Sequence, residues 1–139
     1  MKTNQNMRRF LGELKENRPG LSPILSSILT AGFVEEKGCV LLASEKRDSE
    51  SDRTATQDET GYECFVNHVH VESLGEALEF ARRLKKALTS LFPGDFVVIV
   101  SFDGRVATVR FHRLRAGQTW LNENLEEYRE EGIAVLDSN

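Results

Sequence analysis

Three histidines are the residues of this chain whose types and spacing could support metal binding or acid–base chemistry. His68 and His70 lie two residues apart in a run of β-branched and aromatic residues, and side chains two apart on a strand face the same side. The pattern places both imidazoles on one face with Cys64, and His112 could join them from a neighbouring strand. A zinc site needs three or four such ligands. A small metal-assisted hydrolase that uses His68, His70 and His112 is therefore one candidate function.

The sequence offers little further support for catalysis. It has no His-Glu-x-x-His, paired Cys-x-x-Cys or Gly-x-Ser-x-Gly motif, and no fourth histidine. Cys64 would need an activating base to act as a nucleophile, and a cysteine inside a strand is more often a small core residue. We therefore expect half-buried, hydrogen-bonded strand histidines, no metal or other cofactor, and a protein that is not an enzyme.

One long helix is expected to organise the rest of the chain. Residues 74–92 repeat apolar side chains three and four positions apart, so one side of the helix is a continuous apolar stripe. Ser73 and Glu76 form a capping-box pattern, in which each side chain bonds the backbone amide of the other. This pattern fixes where the helix begins, and its stripe requires a sheet to pack on.

A β-hairpin follows the helix directly. Residues 95–102 and 105–111 predict two strands joined by Asp103-Gly104, because Asp-Gly favours a two-residue type I′ turn. This turn pairs Phe102 with Arg105 and predicts that Phe96, Val98 and Val100 pack on the helix. The opposite face of the hairpin is mixed in polarity.

The remaining segments complete an α+β fold. The expected elements, in chain order, are a helix over residues 6–16, a helix from Ser22-Pro23 to Gly32, a hairpin turning near Lys37-Gly38, a mobile polar loop at about 44–61, a strand over 62–71, a helix over 120–131 ended by a left-handed Gly132, and a strand or apolar tail at 133–136. Together they predict a single domain over residues 1–139, with a mostly antiparallel four- to five-stranded sheet and helices packed on one face.

Size and charge limit the classes of function. A chain of 139 residues with 40% apolar content can form one core without disulfides or metals, and Cys39 and Cys64 are expected as buried thiols. The sequence lacks both an apolar run of ~18 residues and a signal peptide, so we expect a cytoplasmic protein with no membrane partner. The net charge of −4 argues against a dedicated nucleic-acid binder.

The charge is unevenly distributed along the chain. Four basic residues cluster at 82–86 in the central helix, whereas the C-terminal segment is strongly acidic. Acidic clusters speed association with basic partners, and tryptophans often anchor interfaces, although packing at a helix start would explain Trp120 equally well. The residues predicted to contact a protein partner are Trp120, Glu123, Glu126, Glu127, Glu130 and Glu131.

Three stretches in the second half of the chain carry a resemblance to a known class of protein. They are Asn67-His-Val-His-Val71, the hairpin from Pro93-Gly94 to Val109-Arg-Phe-His112, and above all Gly117-Gln-Thr-Trp-Leu-Asn-Glu-Asn-Leu-Glu-Glu-Tyr-Arg-Glu-Glu-Gly-Ile133. These stretches resemble small bacterial immunity proteins, the cognate inhibitors encoded beside polymorphic toxins, including those of contact-dependent growth inhibition. The resemblance implies tight, stoichiometric binding of one toxin domain in the cytosol.

An acidic inhibitor suits a toxin nuclease, because nucleases bind phosphate and are often basic. We expect a monomer or weak homodimer that contacts a cognate toxin domain through the acidic segment, with the polar loop as a second arm. A third candidate function is a structural or regulatory domain that dimerises through a sheet edge.

Overall fold

The computed structural model describes residues 1–14, 20–46, 56 and 58–137. In chain order the elements are β1 (Lys2–Thr3), α1 (Gln5–Glu13), α2 (Pro23–Ala31), β2 (Phe33–Glu36), β3 (Cys39–Leu42), α3 (Glu59–Val66), β4 (His68–Val71), α4 (Leu74–Leu91), β5 (Phe96–Phe102), β6 (Ala107–Arg113), a 3₁₀ turn (Leu125–Glu127) and β7 (Gly132–Leu136). Most of the predicted polar loop at 44–61 lies outside the described residues, and its last three residues belong to α3. Among the described helices, none is both long and apolar enough to cross a membrane.

Five antiparallel strands form the main sheet, in the order β1-β7-β5-β6-β4, and β2 and β3 form a separate hairpin. The predicted α+β domain with a mostly antiparallel five-stranded sheet is confirmed. Helix α4 packs on β4, β5, β6 and β7, and its apolar stripe covers Phe96, Val98 and Val100 as expected. We call the face under α4 the first face of the sheet, and the face that carries Val97, Ile99 and His112 the second face.

The register of the β5–β6 hairpin differs from the prediction by two residues. Phe102 pairs with Ala107 and not with Arg105. The turn is longer because the Asp103 carboxylate accepts hydrogen bonds from the backbone N–H groups of Arg105 and Val106, both at 2.8 Å. A shift of two residues leaves every side chain on its expected face. The core was therefore predicted correctly although the turn was not.

The predicted strand over residues 62–71 is wrong in its first half, which forms α3 and only then continues as β4. Asp58 caps the helix, because its carboxylate accepts a hydrogen bond from the backbone of the first turn at 2.7 Å. Tyr62 and Val66, one helical turn apart, pack in a small core cluster with β3. Packing here overrides the β-propensity of the sequence. Cys64 consequently lies on a helix, away from the strand that carries the two histidines.

The predicted helix over residues 120–131 is also wrong. Residues 119–131, which we call the acidic loop, contain one 3₁₀ turn and otherwise irregular backbone. Three of their backbone carbonyls accept hydrogen bonds from the side chain of Asn4. The side chains that the loop places in an apolar cluster with β5 and β7 are Leu121, Leu125 and Tyr128. The loop thus covers part of the second face of the sheet.

Two smaller predictions also need correction. Gly132 does not end a helix in the left-handed conformation: it begins β7, where an added Cβ would lie 3.0 Å from the Cα of Met7. Its lack of a side chain lets α1 approach the strand. At the start of α4, the Ser73 hydroxyl accepts from the backbone of Glu76 at 3.3 Å. The Glu76 carboxylate does not return this bond, since it accepts from the backbone N–H of Ser22 at 2.8 Å.

Candidate functional site

The acidic loop exposes every residue that the sequence predicted to contact a partner. Trp120 keeps 41% of its surface exposed. The exposed glutamates of the loop are Glu123, Glu126, Glu127, Glu130 and Glu131. The loop contains these five glutamates and one arginine, so its formal charge of −4 equals that of the whole chain. Their role in binding a partner stays a prediction, but their position on the surface allows it.

Asn4 holds the acidic loop from inside the protein. This side chain is fully buried, and its Oδ1 accepts hydrogen bonds from the backbone N–H groups of Met7 and Ile133, both at 2.9 Å. Its Nδ2 donates to three carbonyl oxygens of the loop at distances between 2.9 and 3.3 Å. A satisfied buried amide of this kind fixes the relative positions of the segments it joins. One residue therefore connects α1, the acidic loop and β7.

Two glutamates of the loop are engaged within the protein. The Glu126 carboxylate accepts from the backbone N–H of Gln5 at 3.0 and 3.1 Å and pairs with Arg8 at 3.3 Å, so it stabilises the positive end of α1. Glu127 accepts from the side-chain amide of Asn122 at 3.0 Å. The glutamates of the loop whose carboxylates make no hydrogen bond or ion pair with the part of the chain that the structure describes are Glu123, Glu130 and Glu131.

A cleft of about 580 Å³ lies between the acidic loop and the second face of the sheet. Its volume is in the range of ligand-binding pockets. Val97, Ile99 and Val135 give it an apolar floor, and the loop contributes Trp120 and Glu123 to its lining. Two residues predicted to bind a partner therefore border a concave site as well as the open surface.

The sheet places polar groups in a row along this cleft. His112 pairs with Val97 across β5 and β6, and the register of β7 against β5 brings Asp137 to the other side of Val97. Asp95 lies two residues before Val97, and alternation puts it on the same face. Lys2 from the edge strand pairs with Asp137 at 3.4 Å. All four polar residues line the cleft.

The imidazole of His112 uses one of its two ring nitrogens in a hydrogen bond. Burial lowers the pKa of His112, against smaller opposing effects from its hydrogen bond to Arg113 and from the charge of Glu63. Its Nδ1 lies 2.8 Å from the carbonyl oxygen of Arg113. Because a carbonyl can only accept, Nδ1 carries the ring proton and Nε2 carries the lone pair. Nε2 makes no hydrogen bond with any described residue.

The three histidines share the second face of the sheet but do not converge. The Nδ1 atom of His68 bonds the carbonyl oxygen of Phe65 at 2.7 Å, and that of His70 bonds the Thr108 hydroxyl at 3.2 Å. Their rings lie 5.4 Å apart, edge to face, while His112 bonds its own neighbour. Across residues 1–14, 20–46, 56 and 58–137, no three His, Cys, Asp or Glu side chains are grouped so as to hold a metal ion.

Both cysteines are buried thiols that are not joined in a disulfide, as the sequence predicted. Burial raises the pKa of Cys64 to about 12, although the charge of Arg110 opposes this shift. A thiol with that pKa has almost no nucleophilic thiolate at neutral pH. Cys64 therefore fits the interpretation of a core residue and not that of a nucleophile.

Sequence reasoning missed a buried polar network that joins α3 to both sheets. The Glu63 carboxylate is fully buried and accepts from the backbone of Val40 at 2.7 Å, the backbone of Arg113 at 2.8 Å and the guanidinium of Arg115 at 2.6 Å. One turn on, Asn67 accepts from the backbone of β3 at 2.8 Å. The feature of the sequence that could have indicated this network is Glu63, a glutamate inside an apolar run.

The cleft was also missed. His112 lies in β6, whereas Asp95 directly precedes β5 and Asp137 directly follows β7, so the order of these strands in the sheet brings the three residues together. No local pattern in the sequence encodes that order.

The comparison with known proteins identifies a family whose description states no activity. The model of the Uncharacterized protein PM0498 family matches residues 2–139. No curated protein and no solved structure matches the chain.

Proposed function

The chain belongs to the Uncharacterized protein PM0498 family, and we propose that it is a cytoplasmic immunity protein that binds a cognate toxin domain and neutralises it. The partner is a basic, nuclease-type toxin domain, and the complex is stoichiometric. No cofactor, nucleic acid or membrane takes part. The proposal is supported by the surface of the acidic loop and by the resemblance of residues 117–133 to immunity proteins.

The observation that carries the proposal is the concentration of charge in the acidic loop. A formal charge of −4, equal to that of the entire chain, is displayed by exposed side chains within thirteen residues. Such a surface attracts a basic partner over several ångströms and raises the rate of association. A nuclease domain supplies that partner, because it must itself attract phosphate.

The loop is also held in place before any partner binds. Its backbone carbonyls bond Asn4, and its apolar side chains pack on β5 and β7. A surface ordered in advance loses less conformational entropy on binding, and this increases the affinity. The irregular backbone of the loop therefore does not imply weak or fluctuating contacts.

Trp120 is suited to anchor such an interface. The Arg110 guanidinium lies 5.1 Å from the centre of its ring, a distance typical of a cation–π contact. Arg110 itself donates to the backbone carbonyl of Cys64 at 2.9 Å. The indole is therefore supported from within while much of its surface remains exposed. Aromatic residues of this kind dominate the binding energy of many interfaces.

The alternative of a metal-assisted hydrolase has weaker support. It needs His68, His70 and His112 to share one ion, but each ring bonds a different neighbour. Metal analysis of the untagged protein tests it directly. Stoichiometric zinc, iron or manganese, together with a lower melting temperature on chelation, would favour the hydrolase over the immunity protein.

The central experiment is coexpression with the toxin domain encoded beside this gene, followed by purification through a tag on the toxin. We expect a 1:1 complex and loss of toxin activity. The double variant Glu123→Lys, Glu130→Lys should raise the dissociation rate constant about tenfold or more, because like charges across an interface are strongly unfavourable. The side chains of Glu123 and Glu130 bond no other described residue, so the folding of the double variant should not change.

A matched control separates the effect of charge in the acidic loop from the effect of the net charge of the protein. The double variant Glu13→Lys, Glu72→Lys makes the same change in net charge at exposed positions outside the loop. It should leave the dissociation rate constant within about twofold of the parent. Equal effects of the two double variants would contradict binding through the acidic loop. Failure of the neighbouring toxin domain to bind at all would contradict the immunity function.

A further inference from the structure

The cleft beside the acidic loop is lined by a hydrogen-bond acceptor that bonds no other described residue. His112 is 4% exposed and lines the cleft. Its Nδ1–H is used by the carbonyl oxygen of Arg113, which leaves the lone pair of Nε2 without a bond to the described chain. A ligand that brings a hydrogen-bond donor into the cleft can bond this lone pair.

The rim of the cleft is acidic. Asp95, Glu123 and Asp137 line it, and Lys2 is the cation that lines it with them. Lys2 is paired with Asp137. Burial lowers the pKa of Lys85, although the nearby charges of Asp95 and Asp137 oppose this shift, and the Lys85 ammonium donates to the carbonyl of Phe96. The carboxylates outnumber the cations, and Glu123 has no ion-pair partner among the described residues.

The floor of the cleft is apolar. Val97 and Ile99 of β5 and Val135 of β7 line it, and Leu121 and Leu125 close it from the acidic loop. This surface suits a hydrocarbon stem, whereas the rim and the His112 acceptor suit a cationic group with several donors. The combination excludes anions and favours a long basic side chain over a small ion.

We infer that the cleft is a binding site for an arginine side chain presented by the protein partner. The methylene stem lies on the apolar floor, and the guanidinium donates to His112 Nε2 and to the carboxylates of the rim. A guanidinium has five donors in a planar fork, so it can bond acceptors on more than one side, whereas an ammonium is a compact point charge. That a toxin partner supplies the arginine rests on the proposed function. That the cleft can bind an arginine side chain does not depend on it.

The site is tested with the isolated full-length protein and a single-residue probe, Nα-acetyl-arginine N-methylamide. Trp120 is the only tryptophan of the chain and lines the cleft, so its fluorescence reports binding directly. We expect a saturable change with a dissociation constant in the millimolar range, as is typical of one weakly held group, ~4 kcal/mol at 1 mM. Backbone amide shifts in NMR spectra should be confined to β1, β5, β6, β7, the segment between β6 and the acidic loop, and the acidic loop itself, all of which line the cleft.

Neutral and shorter probes establish the chemistry. The citrulline analogue has nearly the same shape without the charge, and we expect it to bind at least about tenfold more weakly. The lysine analogue should bind more weakly than the arginine probe, because it has fewer donors in a fixed arrangement. Equal affinity for arginine and citrulline, or shifts spread outside the cleft, would overturn the inference.

Variants at the rim and at the acceptor test the same site from the protein side. The double variant Asp95→Asn, Glu123→Gln keeps the shape of two exposed side chains and should weaken the arginine probe about fivefold or more. Glu72→Gln, exposed and outside the cleft, is the matched control and should have no effect. His112→Phe should also weaken the probe; since this position is buried, the rim variant decides the outcome if His112→Phe does not fold.

The results separate this inference from the proposed function. If the toxin complex forms but the arginine probe does not bind, the cleft inference is wrong and the immunity function stands. If the probe binds as described but no neighbouring toxin domain forms a complex, the site stands and the immunity function is wrong. In the complex, the rim variant should weaken toxin binding without any change in the free energy of unfolding.

Discussion

Glu63 and Arg115 form an ion pair inside the protein, with 2.6 Å between Oε1 of the glutamate and a guanidinium nitrogen, and with the carboxylate fully buried and the guanidinium side chain 15% exposed. Burial alone disfavours both charges. The hydrogen bond and the charge of Glu63 overcome that effect and raise the pKa of Arg115. The pair joins α3, whose formation the sequence did not predict, to the segment that follows β6.

Loss of one partner of this pair should be strongly destabilising. Arg115→Met leaves the Glu63 carboxylate buried without its countercharge, so we expect a loss of about 3 kcal/mol or more in the free energy of unfolding, measured by urea denaturation. The control is Arg8→Met, which breaks the exposed pair with Glu126 and should cost less than about 1 kcal/mol. Similar losses for the two variants would show that the buried pair has no special role.

The amide of Asn4 should determine whether the acidic loop is ordered. Asn4→Ala removes an acceptor for two backbone N–H groups and a donor for three carbonyls. We expect the free energy of unfolding to fall by about 3 kcal/mol. Amide hydrogen exchange of the loop and of the first residues of β7 should become much faster in native conditions.

Asn6→Ala is the matched control for that variant. Asn6 is exposed at its contact with the loop and donates to the carbonyls of Arg129 at 2.7 Å and Glu131 at 3.4 Å, so its loss should change exchange only near these two residues. Protection of the loop in Asn4→Ala equal to that of the parent would show that packing on the sheet holds the loop without Asn4.

Because the pKa of His112 is lowered in the folded protein, the free energy of unfolding should decrease at acidic pH. At a pH well above the unfolded pKa of about 6.5 the ring is neutral in the folded and the unfolded chain, so it contributes no pH dependence. Below that pH the unfolded chain binds a proton that the folded chain resists, because burial lowers the pKa of His112. The free energy of unfolding should therefore fall as the pH falls from about 6.5 towards the lowered pKa, and this contribution should then level off.

NMR titration of the His112 ring measures the shift directly. A midpoint at or above the usual histidine value would contradict the prediction. The loss of stability attributed to His112 should be absent in His112→Phe, and exposed His70→Gln should retain it.

Two glycines should respond in opposite directions to alanine. An added Cβ at Gly132 would lie 2.9 Å from the Phe10 ring and 3.0 Å from the backbone of Met7. Gly132→Ala should therefore push α1 away from β7 and lower the free energy of unfolding by about 2 kcal/mol. Gly12, in α1, has open space around it, and Gly12→Ala should raise stability by about 0.5–1 kcal/mol. Thermal unfolding measures whether stability falls in Gly132→Ala and rises in Gly12→Ala.

The elements that the sequence predicted correctly are those whose own residues determine them. Helix α4 has a sustained apolar stripe, and β5 and β6 alternate strongly enough that a wrong turn moved the register without exchanging the faces. The α+β class followed from these elements. Similarly, the exposed glutamates of the acidic loop could be predicted from composition, since dense charge rarely lies inside a protein.

The elements that were predicted wrongly depend on distant partners. Residues 119–131 have glutamates and leucines at helical spacing, but their carbonyls bond Asn4, more than a hundred positions away. The first half of the predicted strand at 62–71 forms α3, whose Tyr62 and Val66 pack with β3 and whose Glu63 accepts hydrogen bonds from the backbones of β3 and β6. The cleft depends on the order of the strands, which no local pattern reveals.

The pairing of β1 with β7 has a consequence for how this molecule folds. Lys2 lies opposite Val135, so the two strands meet only after a loop of more than a hundred residues has closed. Contacts between such distant positions form slowly, and Asn4, which follows β1 directly, bonds three carbonyls of the acidic loop. The acidic loop should therefore reach its final arrangement late in folding.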